Sequence, residues 1–307
     1  MKNIEPINQT KLFGLNKYMK ELIQLNSDNV LPNKILLSGQ KGLGKCTLAY
    51  HFINYILSKN EKYAYDINTF EINSENHSFI ITKNRSNPNV NIIDVDSDKK
   101  SININQIREL IVLLNKSSFN NKPRFILIDN IEFLNNNSVN ALLKIIEEPS
   151  YNIFFILINN NKTILPTLKS RCLDFKITLS NDEVTNITNK ILDKNFYEII
   201  NKELIDYYFT PGKIYNLIKF SNDYSEDLKD IKLNEFLSLI IDKAYYKKET
   251  SIKYMIFDFF ELYISKRNNL KNSEFYNFFV KQVEKIKKFN LDEESLFIEF
   301  KHKLLNE

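Results

Sequence analysis

Hydrophobic and polar positions follow two different rhythms along this chain. In the first half, short apolar runs alternate with segments in which apolar residues recur every three or four positions. The runs are typical of buried strands, and the periodic segments are typical of amphipathic helices. The strand candidates are KILLSG (34–39), VNIIDVD (90–96), RFILIDNIE (124–132) and IFFILINN (153–160).

Helical patterns separate these strand candidates. The periodicity predicts a helix from Gly44 to Leu57, and Asn103 and Gln106 have the spacing of a capping box before the apolar stripe of IRELIVLL. The segment NNSVNALLKIIEEP predicts another helix, which Pro149 closes. Strands that alternate with helices predict an α/β domain with a parallel sheet covered on both faces.

Only helical periods remain after about Leu179. Ser180 and Glu183 have capping-box spacing, and the pair Pro211-Gly212 interrupts the helical stretch that follows. We therefore predict an α/β domain at 1–178, a small all-α domain at 179–222 and a larger all-α domain at 223–307.

Composition narrows the class of protein further. The 307 residues have a formal net charge of +4 and contain only two cysteines, and they include no apolar run of about 18 residues. We expect a cytoplasmic protein with no membrane span and no disulfide framework. The small positive charge is compatible with DNA contact but does not argue for it.

A glycine-rich loop separates the first strand candidate from the next helix. LLSGQKGLGKCTLAY places Gly39, Gly42, Gly44 and Lys45 in a G-x-x-x-x-G-K pattern. In such a loop, backbone N–H groups and a helix N-terminus face phosphate oxygens, and the lysine reaches the β- and γ-phosphates. The pattern predicts a phosphate site for ATP, and the alternative is a glycine-rich turn without a ligand.

Two residues argue against ATP hydrolysis at this site. Cys46 stands where a Ser or Thr hydroxyl normally binds Mg²⁺, and sulfur is a poor ligand for this hard cation. Asp129 has the position of a magnesium-coordinating Asp. The next residue is Asn130, and its amide cannot accept a proton from water at neutral pH. We expect intrinsic ATPase activity to be weak or absent and the ATP site to be degenerate, with Thr47 as a further contact and magnesium binding in doubt.

A longer block of the chain resembles a known family. SVNALLKIIEEPSYNIFFILINNNKTILPTLKSRC is similar to the signature block of bacterial DNA polymerase III clamp-loader subunits, which belong to the AAA+ ATPase superfamily. ININQIREL and TPGKIYNLI resemble the same family, so the resemblance covers roughly residues 30–220. It implies an AAA+ α/β domain, a helical lid over 179–222 and a helical collar over 223–307.

Three departures favour the delta-prime class of this family over the gamma/tau motor class. Motor subunits have a complete loop, an Asp-Glu pair and a four-cysteine zinc module, whereas this chain has Cys46, Asp129-Asn130 and no cysteine between 47 and 171. The resemblance implies a non-motor subunit without zinc, in a hetero-pentamer with gamma/tau and delta subunits. Through that complex it would act on the sliding clamp and primed DNA.

The resemblance also implies roles for three residues. Arg171 of the SRC motif would enter the ATP site of a neighbouring subunit as an arginine finger in trans. Asn159 matches a polar residue that senses the γ-phosphate, and Lys213 stands where a sensor-2 arginine is common. The competing interpretations are an ordinary surface arginine and a polar strand end.

Two other functions stay open at this point. An active ATPase, either a gamma/tau-type motor subunit or another AAA+ enzyme, would show strong Mg²⁺-dependent turnover as an isolated chain. A nucleic-acid-binding module is disfavoured by the modest charge and by the absence of a base-reading motif.

Overall fold

The protein forms two compact units, Met1–Ile187 and Thr188–Glu307. The computed structural model describes residues 4–96, 99, 101–116, 120–147, 152–205, 209–266, 277–279, 281–283, 285 and 293–302. The further division of the helical part into a lid and a collar stays a prediction.

A five-stranded parallel sheet forms the centre of the first unit. Its strands are β1 (Lys34–Ser38), β2 (Val90–Ile93), β3 (Arg124–Ile128), β4 (Ile153–Asn159) and β5 (Leu173–Lys176). They lie in the order β2-β3-β4-β1-β5, and every neighbouring pair is parallel. The predicted parallel sheet is confirmed, and its first four strands coincide with the four apolar runs.

Helices cover both faces of this sheet. They are α1 (Asn16–Ser27), α2 (Lys45–Leu57), α3 (His77–Lys83), α4 (Ile104–Leu114), α5 (Asn136–Glu147) and α6 (Pro166–Lys169). Successive strand residues point to opposite faces, so Leu37 packs in one core with α1, α2 and α3, and Leu36 packs in another with α4, α5 and α6. This division explains why the interiors of β1, β3 and β4 are apolar on both faces.

Two predicted capping boxes start helices. The Asn103 side chain accepts from the Gln106 backbone N–H at 3.2 Å, and the Gln106 side chain accepts from the Asn103 N–H at 2.9 Å. Ser180 and Glu183 make the equivalent pair before α7 (Asn181–Leu192). Each pair satisfies helix donors that lack intrahelical partners. α5 ends at Glu147, and Pro149 lies outside the described residues.

The second unit is built from helices around an aromatic core. Its main helices are α8 (Pro211–Tyr224), α9 (Leu233–Asp242), α10 (Thr250–Lys266) and α11 (Glu294–Phe300). Phe236 meets Phe259 edge-on at 4.8 Å between ring centroids, and Phe260 stacks on Phe300 at 3.7 Å. None of the helices in the described ranges has both the length and the apolar character that a membrane span requires.

Candidate functional site

The candidate site lies at the carboxyl edge of the sheet. β1 ends at Ser38, directly opposite Asn159 at the end of β4. β3 ends beside the end of β2 in the same manner. The loop 39–44 therefore gathers with Asp94 and Asp129 at one edge. Ligands of open parallel sheets bind at this edge, beside a strand such as β1 where the connections change direction.

The loop backbone has the shape that the glycine pattern predicts. Gly39 has a φ of 148°, and a Cβ atom there would lie 2.4 Å from the carbonyl oxygen of Ile177. Gly44 precedes α2 in the left-handed conformation, with a φ of 86°. Residues with side chains rarely adopt such values. The first turn of α2 faces this loop with N–H groups that have no acceptor within the helix, which is the geometry of an anion site.

Lys45 is buried against the loop. Its side chain is 3% exposed, and Nζ donates to the carbonyl oxygens of Gly39 at 2.9 Å and Gln40 at 2.6 Å. Burial lowers the pKa of Lys45 to about 8, although the charges of Asp129 and Glu132 act in the opposite direction. The ammonium group is still protonated at neutral pH, and a phosphate would compete with the two carbonyl oxygens for its protons.

Cys46 and Asp129 are in contact at the carboxyl edge of the sheet. The Cys46 thiol is within hydrogen-bonding reach of the Asp129 carboxylate, and burial together with this carboxylate raises the thiol pKa well above its usual value. Burial and the charge of Asp94 raise the pKa of Asp129. Mg²⁺ takes oxygen ligands, so a protonated thiol bonded to the Asp129 carboxylate is a donor set that does not fit this ion.

Asn130 connects three strand ends by hydrogen bonds. Its Nδ2 donates to Asp94 Oδ1 after β2 at 2.7 Å, and its Oδ1 accepts from Asn160 Nδ2 after β4 at 2.8 Å. The backbone of Asn130 is left-handed, with a φ of 54°. An amide can donate and accept at once, as this bridge requires, but it cannot take a proton from water as a glutamate can.

Asn159 and Asn160 have different surroundings. The Asn159 side chain closes a turn, because Nδ2 donates to the Lys162 carbonyl oxygen at 3.0 Å and Oδ1 accepts from the Lys162 N–H at 3.3 Å. Asn160, which sequence reasoning did not select, is the amide that reaches Asn130. The two residues are adjacent at the end of β4, so their side chains are expected to point to opposite sides of the sheet. Nothing else in the sequence distinguishes them. The assignment of Asn159 as a phosphate sensor stays a prediction.

The other candidates lie in two different units. Gly42 belongs to the loop with a φ of 88°, and Thr47 is partly buried in the first turn of α2. Lys213 belongs to the second unit, where its Nζ lies 3.0 Å from Asp258 Oδ2 and 5.7 Å from the ring centroid of Phe209. A nucleotide role for Lys213 stays a prediction.

Arg171 lies at the opposite edge of the sheet from the loop. It occupies the turn before β5, whose first residue, Leu173, pairs with Ile35 near the start of β1. Its Nε and Nη2 donate to Glu147 Oε1 at 3.1 and 2.7 Å, and its Nη1 donates to the Thr167 carbonyl oxygen at 2.9 Å. The Arg171 side chain is 36% exposed. The guanidinium is therefore accessible from outside the unit and is held on two sides.

Comparisons with known proteins identify related sequences. Residues 14–181 match the family described as DNA polymerase III, delta subunit. DNA polymerase III subunit delta' of Buchnera aphidicola subsp. Schizaphis graminum is 28% identical over 303 residues, which are 88% of this chain and 84% of the relative. DNA polymerase III subunit gamma of the same organism is 29% identical over 207 residues, or 66% of this chain and 54% of the relative.

Other relatives are matched over a smaller part of their length. DNA polymerase III subunit delta' of Buchnera aphidicola subsp. Baizongia pistaciae is 30% identical over 168 residues, which are 50% of this chain and 46% of the relative. The chain thus spans about half the length of this relative and of the gamma relative. The family match extends over more than half of the 307 residues and includes all five strands and the glycine loop. The chain belongs to the DNA polymerase III delta-subunit family.

Proposed function

We propose that this chain is a delta-prime subunit of a bacterial DNA polymerase III clamp loader and that it supplies Arg171 to the ATP site of a neighbouring subunit. The observation that carries the proposal is the placement of Arg171 at the amino edge of the sheet, whereas the loop 39–44 lies at the carboxyl edge. A strand of this length separates the two edges by roughly 15 Å. An accessible guanidinium at that distance suits phosphates bound by another chain better than phosphates in its own loop.

The chemistry of such a site needs a fixed cation. In ATP hydrolysis, a water oxygen bonds to the γ-phosphorus while the bond to the β–γ bridging oxygen breaks, which yields ADP and phosphate. Negative charge on the phosphoryl oxygens is stabilised by a guanidinium that stays protonated throughout. Arg171 would serve this step without being consumed, so the chain would support hydrolysis that takes place on its neighbour.

The chain's own loop is proposed to be a degenerate ATP site. Nucleotide phosphates would be held there by backbone N–H groups of the loop 39–44 and by Lys45. The donor set of Cys46 and Asp129 argues against magnesium, and the amide of Asn130 argues against activation of water. The role of the loop is then structural, with little or no turnover of its own.

The proposed partners follow from the same assignment. The chain would join gamma/tau and delta subunits in a hetero-pentamer, and the complex would open a sliding clamp and place it on primed DNA. Support comes from the relatives, which are named as delta' and gamma subunits of DNA polymerase III.

A motor subunit of the gamma/tau type is the second candidate. It is favoured by the 29% identity to a gamma subunit and by the intact position of Lys45. It is opposed by Cys46 and Asn130, which remove two groups that hydrolysis normally needs.

The test is the DNA- and clamp-stimulated ATPase activity of a complex rebuilt from this organism's subunits. We expect Arg171→Ala to lower turnover by about 10³-fold or more, the range found for arginine fingers. Lys45→Ala should change turnover less than about twofold, because the loop would not be a working site.

Arg108→Ala serves as a control, since Arg108 is an exposed arginine on α4 of the same unit. It should leave turnover unchanged. Loss of most turnover with Lys45→Ala, together with normal turnover with Arg171→Ala, would replace the proposal by a motor subunit.

A further inference from the structure

The contacts of Arg171 leave one end of its guanidinium available. A guanidinium has five N–H donors in a plane. Glu147 Oε1 accepts from Nε and Nη2, and the Thr167 carbonyl oxygen accepts from Nη1. Within the contacts of the described residues, two N–H donors are left, one on each terminal nitrogen. Guanidinium N–H donors bind phosphate oxygens in pairs.

The groups that hold Arg171 are themselves fixed by the core. Glu147 is the last residue of α5 and follows Ile146, which is fully buried. Thr167 lies in α6 beside Leu168, which is 1% exposed. Ile146 and Leu168 belong to the same hydrophobic cluster. The Thr167 carbonyl and the backbone of Glu147 therefore have defined positions, and a long arginine side chain with partners at both residues has already lost much of its rotamer freedom.

Stability is a poor explanation for this ion pair. The side chains of Arg171 and Glu147 are 36% and 51% exposed, and partly exposed ion pairs contribute little to folding. A carboxylate oxygen that accepts from both Nε and Nη2 does, however, restrict the orientation of the whole planar guanidinium.

We infer that Glu147 is a positioning residue, which orients the guanidinium of Arg171 toward the phosphates of a neighbouring subunit. The inference rests on the proposed function of Arg171 in trans. Prior orientation of a reacting or stabilising group accelerates a reaction because its entropy is lost before the transition state, and a misplacement of about 1 Å can cost about 100-fold. Glu147 itself touches neither ATP nor water in this scheme.

The experiment compares Glu147→Ala, Glu147→Gln, Arg171→Ala and the double variant Glu147→Ala/Arg171→Ala in the rebuilt complex. We expect Glu147→Ala to lower kcat about tenfold while KM for ATP changes less than twofold. Glu147→Gln keeps an acceptor oxygen, so its kcat should be close to that of the unchanged chain and above that of Glu147→Ala. The double variant should be no slower than Arg171→Ala, because Glu147 acts only through that arginine.

The matched control is Glu71→Ala. Glu71 forms an exposed ion pair with Lys11 at 2.9 Å, and its side chain is 42% exposed, so its loss should change neither kcat nor KM. If Arg171→Ala abolishes turnover but Glu147→Ala does not slow it, or speeds it, the inference is overturned and the proposed function stands.

Two further outcomes distinguish a failure of the inference about Glu147 from a failure of the proposed function of Arg171. A double variant clearly slower than Arg171→Ala would show that Glu147 acts apart from the arginine, which also overturns the inference. Normal turnover with Arg171→Ala would overturn the proposed function, and the inference with it.

Discussion

His51 is a buried histidine in α2, the helix that follows the candidate loop. It lies in α2 with no exposed surface, and its Nδ1 is 3.0 Å from the Tyr65 hydroxyl oxygen. Burial lowers the pKa of His51 to about 4 from an ordinary value of 6.5. The folded protein therefore keeps this imidazole neutral at pH values where the unfolded chain already protonates it.

The lowered pKa of His51 predicts a loss of stability in mild acid. Between pH 6.5 and 4 the unfolded state binds the extra proton, so stability that is fully present above pH 6.5 falls as the pH drops to 4. The loss at this residue is at most about 3 kcal/mol. We expect His51→Phe to reduce the fall in unfolding free energy over this range by that amount, measured by urea unfolding at several pH values.

Tyr65→Phe provides the control for this experiment. It removes the hydroxyl partner of His51 but keeps the titrating imidazole. Its pH dependence should stay close to that of the unchanged chain. Equal pH dependence in His51→Phe and the unchanged chain would show that the histidine is not the group responsible.

At the scale of elements, the ends of β2, β3 and β4 form one hydrogen-bonded unit through Asn130. Because Nδ2 of Asn130 donates to Asp94 Oδ1 at 2.7 Å, a carboxylate at position 130 would meet a second carboxylate at that distance. Like charges this close resist joint ionisation. Restoring a hydrolase from this loop therefore requires a change at Asp94 as well as at Cys46 and Asn130.

This geometry predicts the order in which ATPase activity could be regained. The double variant Cys46→Thr/Asn130→Glu should stay nearly inactive as an isolated chain. Adding Asp94→Asn should raise Mg²⁺-dependent turnover by about tenfold or more, because the new carboxylate could then ionise and accept a proton. The measurement is phosphate release with and without Mg²⁺.

Asp96→Asn in the same double variant is the matched control. Asp96 lies in the same segment but bonds to Lys99 and Gln106 instead of Asn130. Asp96→Asn should not raise Mg²⁺-dependent turnover. A similar gain from both substitutions would indicate a general charge effect and would contradict the assigned role of Asp94.

The elements themselves differ in how well the sequence predicts them. β1 to β4 are recognisable because each lies between two hydrophobic cores and is mainly apolar. β5 is an edge strand of four residues, three of them exposed, so it has no apolar run and was not predicted. The capping boxes were predictable because both partners lie within one turn of a helix.

At the scale of the whole molecule, each compact unit has its own core. The first unit has one cluster on each face of the sheet. The second unit is packed around aromatic rings, among them Phe236, which is fully buried and contacts Phe220 and Phe259. Separate cores predict that the two units can lose structure one at a time.

Phe236→Ala tests this separation. Deletion of a buried phenyl ring costs about 3–5 kcal/mol, and we expect the loss to appear in the second unit alone. Hydrogen exchange measured by mass spectrometry should show faster exchange in residues 211–266, with protection in β1, β3 and β4 unchanged.

Phe155→Ala is the reciprocal variant, since Phe155 is fully buried in β4 of the first unit. It should give the opposite pattern of exchange. A uniform loss of protection in both units with either variant would show that the chain unfolds as one cooperative body.

The sequence by itself determined the features that depend on neighbours along the chain. These are the strand and helix periods, the capping boxes, the glycine loop with Lys45, and the replacement residues Cys46 and Asn130. Each can be recognised locally, because period, spacing and residue type are properties of a short segment.

Only the tertiary structure decided which distant residues meet. The order β2-β3-β4-β1-β5 and its register place the loop at one edge of the sheet and Arg171 at the other. The same arrangement brings Asp94 to Asn130, and Glu147 to Arg171. These pairs are separated by 36 and 24 positions in the sequence. Contacts at such separations follow from strand order and helix packing, which no local pattern specifies.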